Sequence, residues 1–363
     1  MAAIVKEGKV EIFLEKLHHY KGPGKKQAGF YNPALEIDRD LNVAFCEYAA
    51  AEGAKRFLDG LAASGIRGIR IAKEVERDIE VDINDYNSKS YEIMKKNIEM
   101  NKVKANALNE NLCILLQKRR YDYIDIDPYG SPIPFISCMF RALKKKTFVA
   151  ITATDTATLC GIYRKACIRK YHSIPLRGQA SKEAGIRILI GYIARQAASF
   201  DYGFRPIICY AHGHFFRVYG VMEKGARKAD ESMKSIGWIY WKDGWKISGF
   251  EEMNERPIAG PLWTGKIYDY NVIEEIEEII RKKELRKKEL LLKLINFFKE
   301  EAELPPLYYE SAFIAKELKA VQPKMAKIIE RLEKKGYKAG RTHFMLNAFK
   351  TDAPYGIVKE IFR

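Results

Sequence analysis

From residue 38 to residue 200, short apolar stretches alternate with helical ones, and that alternation limits the fold of this 363-residue chain more than any other feature. Strand-like segments occur at 56–58, 79–83, 123–126 and 147–152. Between and around them, helical periodicity runs through 38–52, 88–100, 135–143 and 186–200, with Tyr91, Met94 and Ile98 on one face of the second. Strands alternating with helices predict a largely parallel, doubly wound α/β sheet. The segment 206–223 reads as two strands with a turn near 211–214, an antiparallel edge to that sheet.

The character changes near Lys224. Two short strands rich in Trp and Tyr (237–241 and 245–247) precede a loop with Pro257 and Pro261. A long charged helix over 272–299 follows, stopped by Pro305-Pro306. Helices at 310–318 and 323–334 and a strand-like end complete the chain, an order that fits a smaller α+β domain of winged-helix type. The length suits two domains, divided as 1–223 and 224–363. Residues 1–30 read as a short strand and a basic loop, KGPGKKQAG.

The net charge of +16 favours a polyanionic partner. Residues 139–187 hold 11 Lys or Arg against Asp155 and Glu183, more than half of the excess, and Arg164, Lys165, Arg169 and Lys170 within them are candidate phosphate contacts. Residues 272–363 carry 20 basic and 15 acidic side chains, a mixture closer to a solvated helix face, so they rank lower as a phosphate surface. No apolar run is long enough to span a bilayer, and the N-terminus has no signal-peptide pattern, so a cytoplasmic location is expected. The six cysteines are scattered with no CxxC pair, which predicts free thiols in a reducing compartment rather than disulfides. Neither Cys nor His is paired at metal-ligand spacing, so no metal is expected.

Two segments carry chemistry. In FLDGLAASGIRG at 57–68, an acidic residue, Asp59, and small residues including Gly65 stand on the turn after a strand. Small side chains let backbone approach a ligand, and the next helix offers free N–H groups. About twenty residues on, Asp85 follows the 79–83 strand, where a carboxylate can accept bonds from ribose hydroxyls. Asp82 is the competitor, but it lies inside the strand. The turn lacks the denser GxGxxG pattern that a pyrophosphate favours, so it suits S-adenosylmethionine, which has no phosphate.

The second segment is Asp127-Pro128-Tyr129 at a strand end. The lone pair of an exocyclic amine is conjugated into its base and is a poor nucleophile. A carboxylate and a backbone carbonyl that both accept N–H bonds localise that lone pair, and the carboxylate can take the released proton. A following aromatic ring can stack on the base. Asp127, the Pro128 carbonyl and Tyr129 fill these roles; the alternative is a plain Asp-Pro turn. Phe30 in the FYNP segment is either a core residue or a second stacking wall.

The chain resembles the tRNA guanine-26 N2-dimethyltransferases, in particular their shorter archaeal form. The resemblance rests on FYNP (30–33), Asp38-Arg39-Asp40, SGIRGIR (64–70), DIDPYGSP (125–132), TATDTATLCG (152–161), RKYHSIPLRG (169–178), GARK (225–228) and RTHF (341–344), in order along the chain. It implies a class I, Rossmann-like methyltransferase domain with a C-terminal tRNA-contacting domain. It also implies that Arg39, Arg67 and Asp85 hold S-adenosylmethionine, that Asp127 is the catalytic carboxylate, and that Phe30 and Tyr129 flank the guanine. Relatives commonly have Phe where this chain has Tyr129. The Asp-Ala-Asn stretch that meets the adenine in the family is replaced here by 109–113, where Glu110 or Asn111 takes the role. Arg341, in RTHF, joins the candidate tRNA contacts. An amino-methyltransferase acting on DNA and a non-catalytic tRNA-binding protein are the competing functions.

Overall fold

The computed structural model describes residues 2–15, 28–253 and 255–363; most of the basic loop at 21–29 lies outside them. The chain opens with an antiparallel hairpin, β1 (Ala3–Glu7) and β2 (Val10–Leu14). A helix α1 (Glu36–Ala51) follows a short turn at Pro33–Leu35, whose start is capped by the Asn32 side chain accepting from Ala34 N at 3.0 Å. Next come β3 (Arg56–Asp59), α2 (Ile66–Glu74), β4 (Glu80–Asn84), α3 (Ser88–Asn101), β5 (Ala105–Leu108), α4 (Leu112–Lys118), β6 (Tyr121–Ile126), α5 (Ile133–Met139) and β7 (Leu143–Ala153). The hairpin strands β8 (Tyr202–His212) and β9 (Phe215–Lys224) come later.

The seven strands β3 to β9 form one sheet in the order β5-β4-β3-β6-β7-β9-β8. The pairs β5·β4, β4·β3, β3·β6 and β6·β7 are all parallel, as the alternation predicted. Strand order reverses between β3 and β6. In open α/β sheets the carboxyl ends at such a reversal leave a crevice for ligands. Register places Asp59 beside Asp125 there, and both side chains are buried.

The chain divides into two compact units, neither a single stretch of sequence: Met1–Thr154 with Tyr219–Gly225 and Asn271–Lys293, and Asp155–Val218 with Ala226–Tyr270 and Leu294–Arg363. The division falls inside β9. In the first unit, apolar residues of the parallel strands, such as Phe57, Leu58, Ile83, Ile124 and Ile151, are fully or almost fully buried. This is the pattern of strands covered on both faces.

The second unit holds an antiparallel sheet of Ile236–Trp241, Trp245–Gly249 and Ala259–Trp263. Further along, helices Ser311–Leu318 and Met325–Lys334 and a small sheet of Tyr309–Glu310, Ala339–Arg341 and Ala348–Thr351 enclose Ile314, Ile328, Leu332 and Phe349. That order matches the predicted small α+β end. The Thr342 and His343 of RTHF serve this core: the buried Glu301 accepts from Thr342 Oγ1 at 2.9 Å and from His343 N at 2.8 Å. Burial pushes the Glu301 carboxyl up, but the His343 and Lys350 charges outweigh it and bring it down to about 2.

Three expectations need correction. The helix predicted over 272–299 is two, Tyr270–Lys282 and Lys288–Ala302, with no Gly or Pro to mark the break. At the break Leu285 turns into the core, and the Lys283 ammonium is captured by Glu47 at 2.9 Å and the Glu74 carbonyl at 2.7 Å. The helix predicted over 135–143 ends at Met139, and Leu143 already belongs to β7. Finally, Cys113 and Cys138 form a disulfide, where free thiols were expected. They lie 25 residues apart in sequence, but α4 packs beside α5 and brings their Cα atoms to 5.3 Å. Cys46, Cys160, Cys167 and Cys209 form no disulfide.

Candidate active site

Three turns at the carboxyl ends of β3, β4 and β5 are tied together by side chains. Asn84, wholly buried, donates to the carbonyls of Gly60 and Glu110, each at 3.1 Å, and accepts from Glu110 N at 3.1 Å. Asp85 accepts from Ala63 N and from Asn87 N, both at 2.8 Å. Burial raises the Asp85 carboxyl above the ordinary aspartate value, and those two N–H groups oppose the rise. Gly65 opens α2 with φ at +80°, and a Cβ there would stand 2.8 Å from Met94 Cγ. A glycine is therefore required by backbone shape and by packing.

Asp59 is fully buried and accepts from Gly68 N, in the first turn of α2, at 2.9 Å. Burial, then the neighbouring Asp125 charge, pushes its carboxyl up to about 7. Glu110 lies on the surface and pairs with Lys118 at 2.6 Å, a hydrogen bond that lowers its carboxyl value. Asn111 is the N-cap of α4, accepting from Cys113 N at 2.9 Å.

Arg67, in the first turn of α2, reaches across to Asp127. Its Nη2 donates to Asp127 Oδ2 at 2.7 Å and to Asp38 Oδ2 at 2.9 Å, and its Nε lies 3.8 Å from Asp125 Oδ2. Asp125 is in turn held by the Tyr123 hydroxyl at 2.9 Å and Asn42 Nδ2 at 3.1 Å. Asp127 is half-buried. No described residue donates to the Pro128 carbonyl. The loop beyond is pinned by Gly130 N donating to Thr154 Oγ1 at 2.6 Å and Thr154 N donating to the Gly130 carbonyl at 2.9 Å.

Phe30 and Tyr129, about a hundred residues apart in sequence, meet edge to face with ring centres 5.4 Å apart at 79°. Tyr129 is 39% exposed, so its ring stands outside the core. Rings in edge contact leave no slot between them for a further flat group.

Arg39 is oriented by a residue that no sequence signal singled out. The buried Glu7 accepts from Arg39 Nε at 2.6 Å and Nη2 at 2.5 Å, from Arg70 Nη1 at 3.0 Å and from the Tyr31 hydroxyl at 2.9 Å. Burial opposes the Glu7 charge, but Arg39 and Arg70 outweigh it and hold the carboxyl below its ordinary value. Asp38 and Asp125 were also missed as partners of Arg67, although both fall inside quoted motifs. Glu7 has no such marker, because its role exists only once the hairpin is folded against α1 and α2.

The structure brings Asp127, Pro128, Tyr129, Phe30, Arg67, Asp59, Gly65 and Asp85 to the carboxyl ends of β3, β4 and β6 or into direct contact with groups there. In the second unit, Arg164, Lys165, Arg169 and Lys170 are all exposed on the helix Arg164–Tyr171, beside exposed Ile162, Tyr163 and Ile168. Arg341 is exposed too, but lines a groove with Glu300, Glu303 and Glu333, a setting less inviting to phosphate. Cys160 and Cys167 are pushed by burial up to about 11 and about 12, so neither supplies a thiolate nucleophile near neutral pH. No group of three or more His, Cys, Asp or Glu among the described residues could hold a metal ion, and no described helix is long and apolar enough to cross a membrane.

Residues 8–363 match the family model for N2,N2-dimethylguanosine tRNA methyltransferases. A tRNA (guanine(26)-N(2))-dimethyltransferase of Thermococcus kodakarensis is 37% identical, over 99% of this chain and 98% of its own. The enzyme of that name from Methanocaldococcus jannaschii is 38% identical, over 91% of each chain. Among solved structures, Trm1 from Pyrococcus horikoshii in complex with S-adenosyl-L-methionine aligns over 99% of this chain and 100% of its own, at 34% identity and a TM-score of 0.89. The chain belongs to the N2,N2-dimethylguanosine tRNA methyltransferase family.

Proposed function

We propose that the chain transfers one or two methyl groups from S-adenosylmethionine to the exocyclic N2 amine of guanine 26 in tRNA. The observation that carries this reading is the Asp127-Pro128-Tyr129 turn at the end of β6, with its carboxylate held by Arg67 and its ring against Phe30.

The residues fit the cofactor. Asp85 follows β4, where doubly wound folds hold ribose hydroxyls. The Ser64 hydroxyl, on the turn after β3, is buried with no hydrogen-bond partner among the described residues. Arg39 and Arg67 supply guanidinium groups for a carboxylate, Glu110 and Asn111 supply polar groups for the adenine, and Asp59 and Gly65 keep the turn in shape. When bound, S-adenosylmethionine supplies an electrophilic methyl group on a sulfonium.

The protein's part is to make the amine nucleophilic. Asp127 and the Pro128 carbonyl each accept an N–H of the amine, which localises its lone pair, and Asp127 takes the proton released. Arg67 fixes the orientation of that carboxylate. Phe30 and Tyr129 hold the base by stacking, and the exposed cations of Arg164–Tyr171 meet tRNA phosphates.

The test is transfer of labelled methyl groups to tRNA transcripts carrying G or A at position 26, with duplex DNA as the competing substrate. Label is expected on the G26 transcript alone. Asp127→Ala is expected to cut the rate by about 100-fold or more, in the range for loss of a general base. Label on DNA in preference to tRNA sinks the functional assignment, and wild-type rates from Asp127→Ala sink the mechanism.

A further inference from the structure

We infer that the first unit carries a separate phosphate-binding surface for RNA, a groove between the β1–β2 turn and the break at 283–287. The inference rests on the tRNA reading above and adds a part of the interface that no motif marks.

The groove encloses about 460 Å³. Lys6 and Lys9 line it from the hairpin, Arg286 and Lys288 from the other side, and Glu284 is its one acid. All five are exposed or half-exposed. Two neighbouring cations are already spent: Arg281, in the last turn of the helix before the break, pairs with Glu277, and Lys283 with Glu47. The four groove cations form no ion pair with a described acid; Lys288 donates only to the Arg281 carbonyl, at 3.0 Å. The groove therefore concentrates uncompensated positive charge, which the region's modest overall balance conceals.

Both walls are rigid. Beneath the hairpin turn, buried Glu7 is locked to Arg39, Arg70 and Tyr31, and Lys9 N donates to Glu74 Oε1 at 3.3 Å. Gly8 has φ at +55°, and a Cβ there would stand 2.4 Å from Glu74 Oε1, so the turn sits directly on that ion cluster. On the other wall, Leu285 is buried and Lys287 N donates to Asp40 Oδ2 at 3.3 Å. Cations mounted on fixed backbone lose less freedom on binding than cations on a loose loop. Their chemistry calls for an anion bearing several charges along a line, and the RNA backbone is that ligand.

The experiment compares the full-length protein with Lys9→Gln/Arg286→Gln, and with Lys102→Gln/Lys104→Gln as a control of equal charge change at the exposed turn after α3. Binding of tRNA is followed by fluorescence anisotropy across a range of KCl, alongside methylation kinetics. The groove variant is expected to raise Kd and KM for tRNA about tenfold and to flatten the log–log salt slope by about 1 to 2, one phosphate contact per cation removed. Its kcat at saturating tRNA, its S-adenosylmethionine affinity and its melting temperature are expected to match wild type. A groove variant equal to wild type in Kd and salt slope overturns the inference, and so does an equal loss in the control pair. A misfolded groove variant would show in the melting curve, and single Lys6→Gln and Lys9→Gln substitutions then carry the same comparison. If the wild type neither binds nor methylates tRNA, the functional reading fails instead.

Discussion

Glu7→Gln removes one charge and almost no volume from beneath the active site, and its effects follow from the local geometry. The carboxylate accepts four hydrogen bonds, from Arg39 twice, from Arg70 and from Tyr31. Arg70 keeps Asp40 and Glu74, each at 2.7 Å. Arg39 keeps the Asn32 carbonyl, at 3.0 Å, and its place over the Tyr31 ring, and loses its one described carboxylate partner. Breaking a buried ion pair by removing one partner costs about 3–5 kcal/mol. For a unit of roughly 180 residues, at about 2–4 °C per kcal/mol, the melting temperature should fall by roughly 10 °C.

The pH dependence has a defined sign. The folded-state value of Glu7 lies below its ordinary 4.5, so its charge stabilises the fold above that pH, and the contribution is lost as pH falls through the folded value. Scanning calorimetry from pH 3 to pH 8 should find the gap between wild type and Glu7→Gln widest near neutrality and closing in acid. Since Glu7 orients Arg39, KM for S-adenosylmethionine should rise as well. A gap that stays constant with pH, or a melting temperature unchanged at pH 7, would refute the ion-pair account.

Two other perturbations test features the sequence did not announce. Cys113→Ser opens a loop closed by a disulfide 25 residues apart, worth about 3 kcal/mol by chain entropy; reductant should lower the melting temperature of wild type but not of the variant, and a wild type indifferent to reductant would disprove the bond's role. Asp59→Asn keeps an acceptor for Gly68 N and removes a carboxyl raised to about 7 by burial and Asp125. Because the folded form holds that proton after the unfolded chain has lost it, wild type loses stability as pH rises from about 4 to 7. The variant should gain on wild type across that window and hold its lead above it, and a difference independent of pH would contradict the assignment.

Much of the first unit was legible because its strands are short apolar runs and its turns carry Gly, Pro, Asp and Asn where the backbone requires them. Asn87 and Asn111 cap α3 and α4, and Asp59, Asp85 and Asp127 each stand at or just past a strand end. Strand β5 escaped because ANAL is short and weakly apolar, and helix α4 because its LCILL run is continuously apolar and shows neither period. The break at 283–287 escaped because lysine and arginine favour helix locally, while the capture of Lys283 by Glu47 and the Glu74 carbonyl is tertiary. The same holds for the disulfide and for Glu7. In each case the deciding partner is far along the chain, and side-chain type alone does not say which distant group it will meet.

If Asp127 is the catalytic carboxylate proposed above, the cluster around Arg67 explains why it needs such distant partners. An arginine 2.7 Å from Asp127 orients it, but by itself would also neutralise it and weaken it as a proton acceptor. Asp38 at 2.9 Å and Asp125 at 3.8 Å share the same guanidinium, so Asp127 is not its sole counter-ion. Asp125 keeps its place because Tyr123 and Asn42 hydrogen-bond it in a wholly buried position. Asp59, pushed up to about 7 by burial and Asp125, adds less than a full charge near neutral pH. The balance is an oriented carboxylate in a pocket with more anionic than cationic groups, which favours positive charge developing on the amine nitrogen. A guanidinium with only Asp127 to pair with would give the orientation and lose the base.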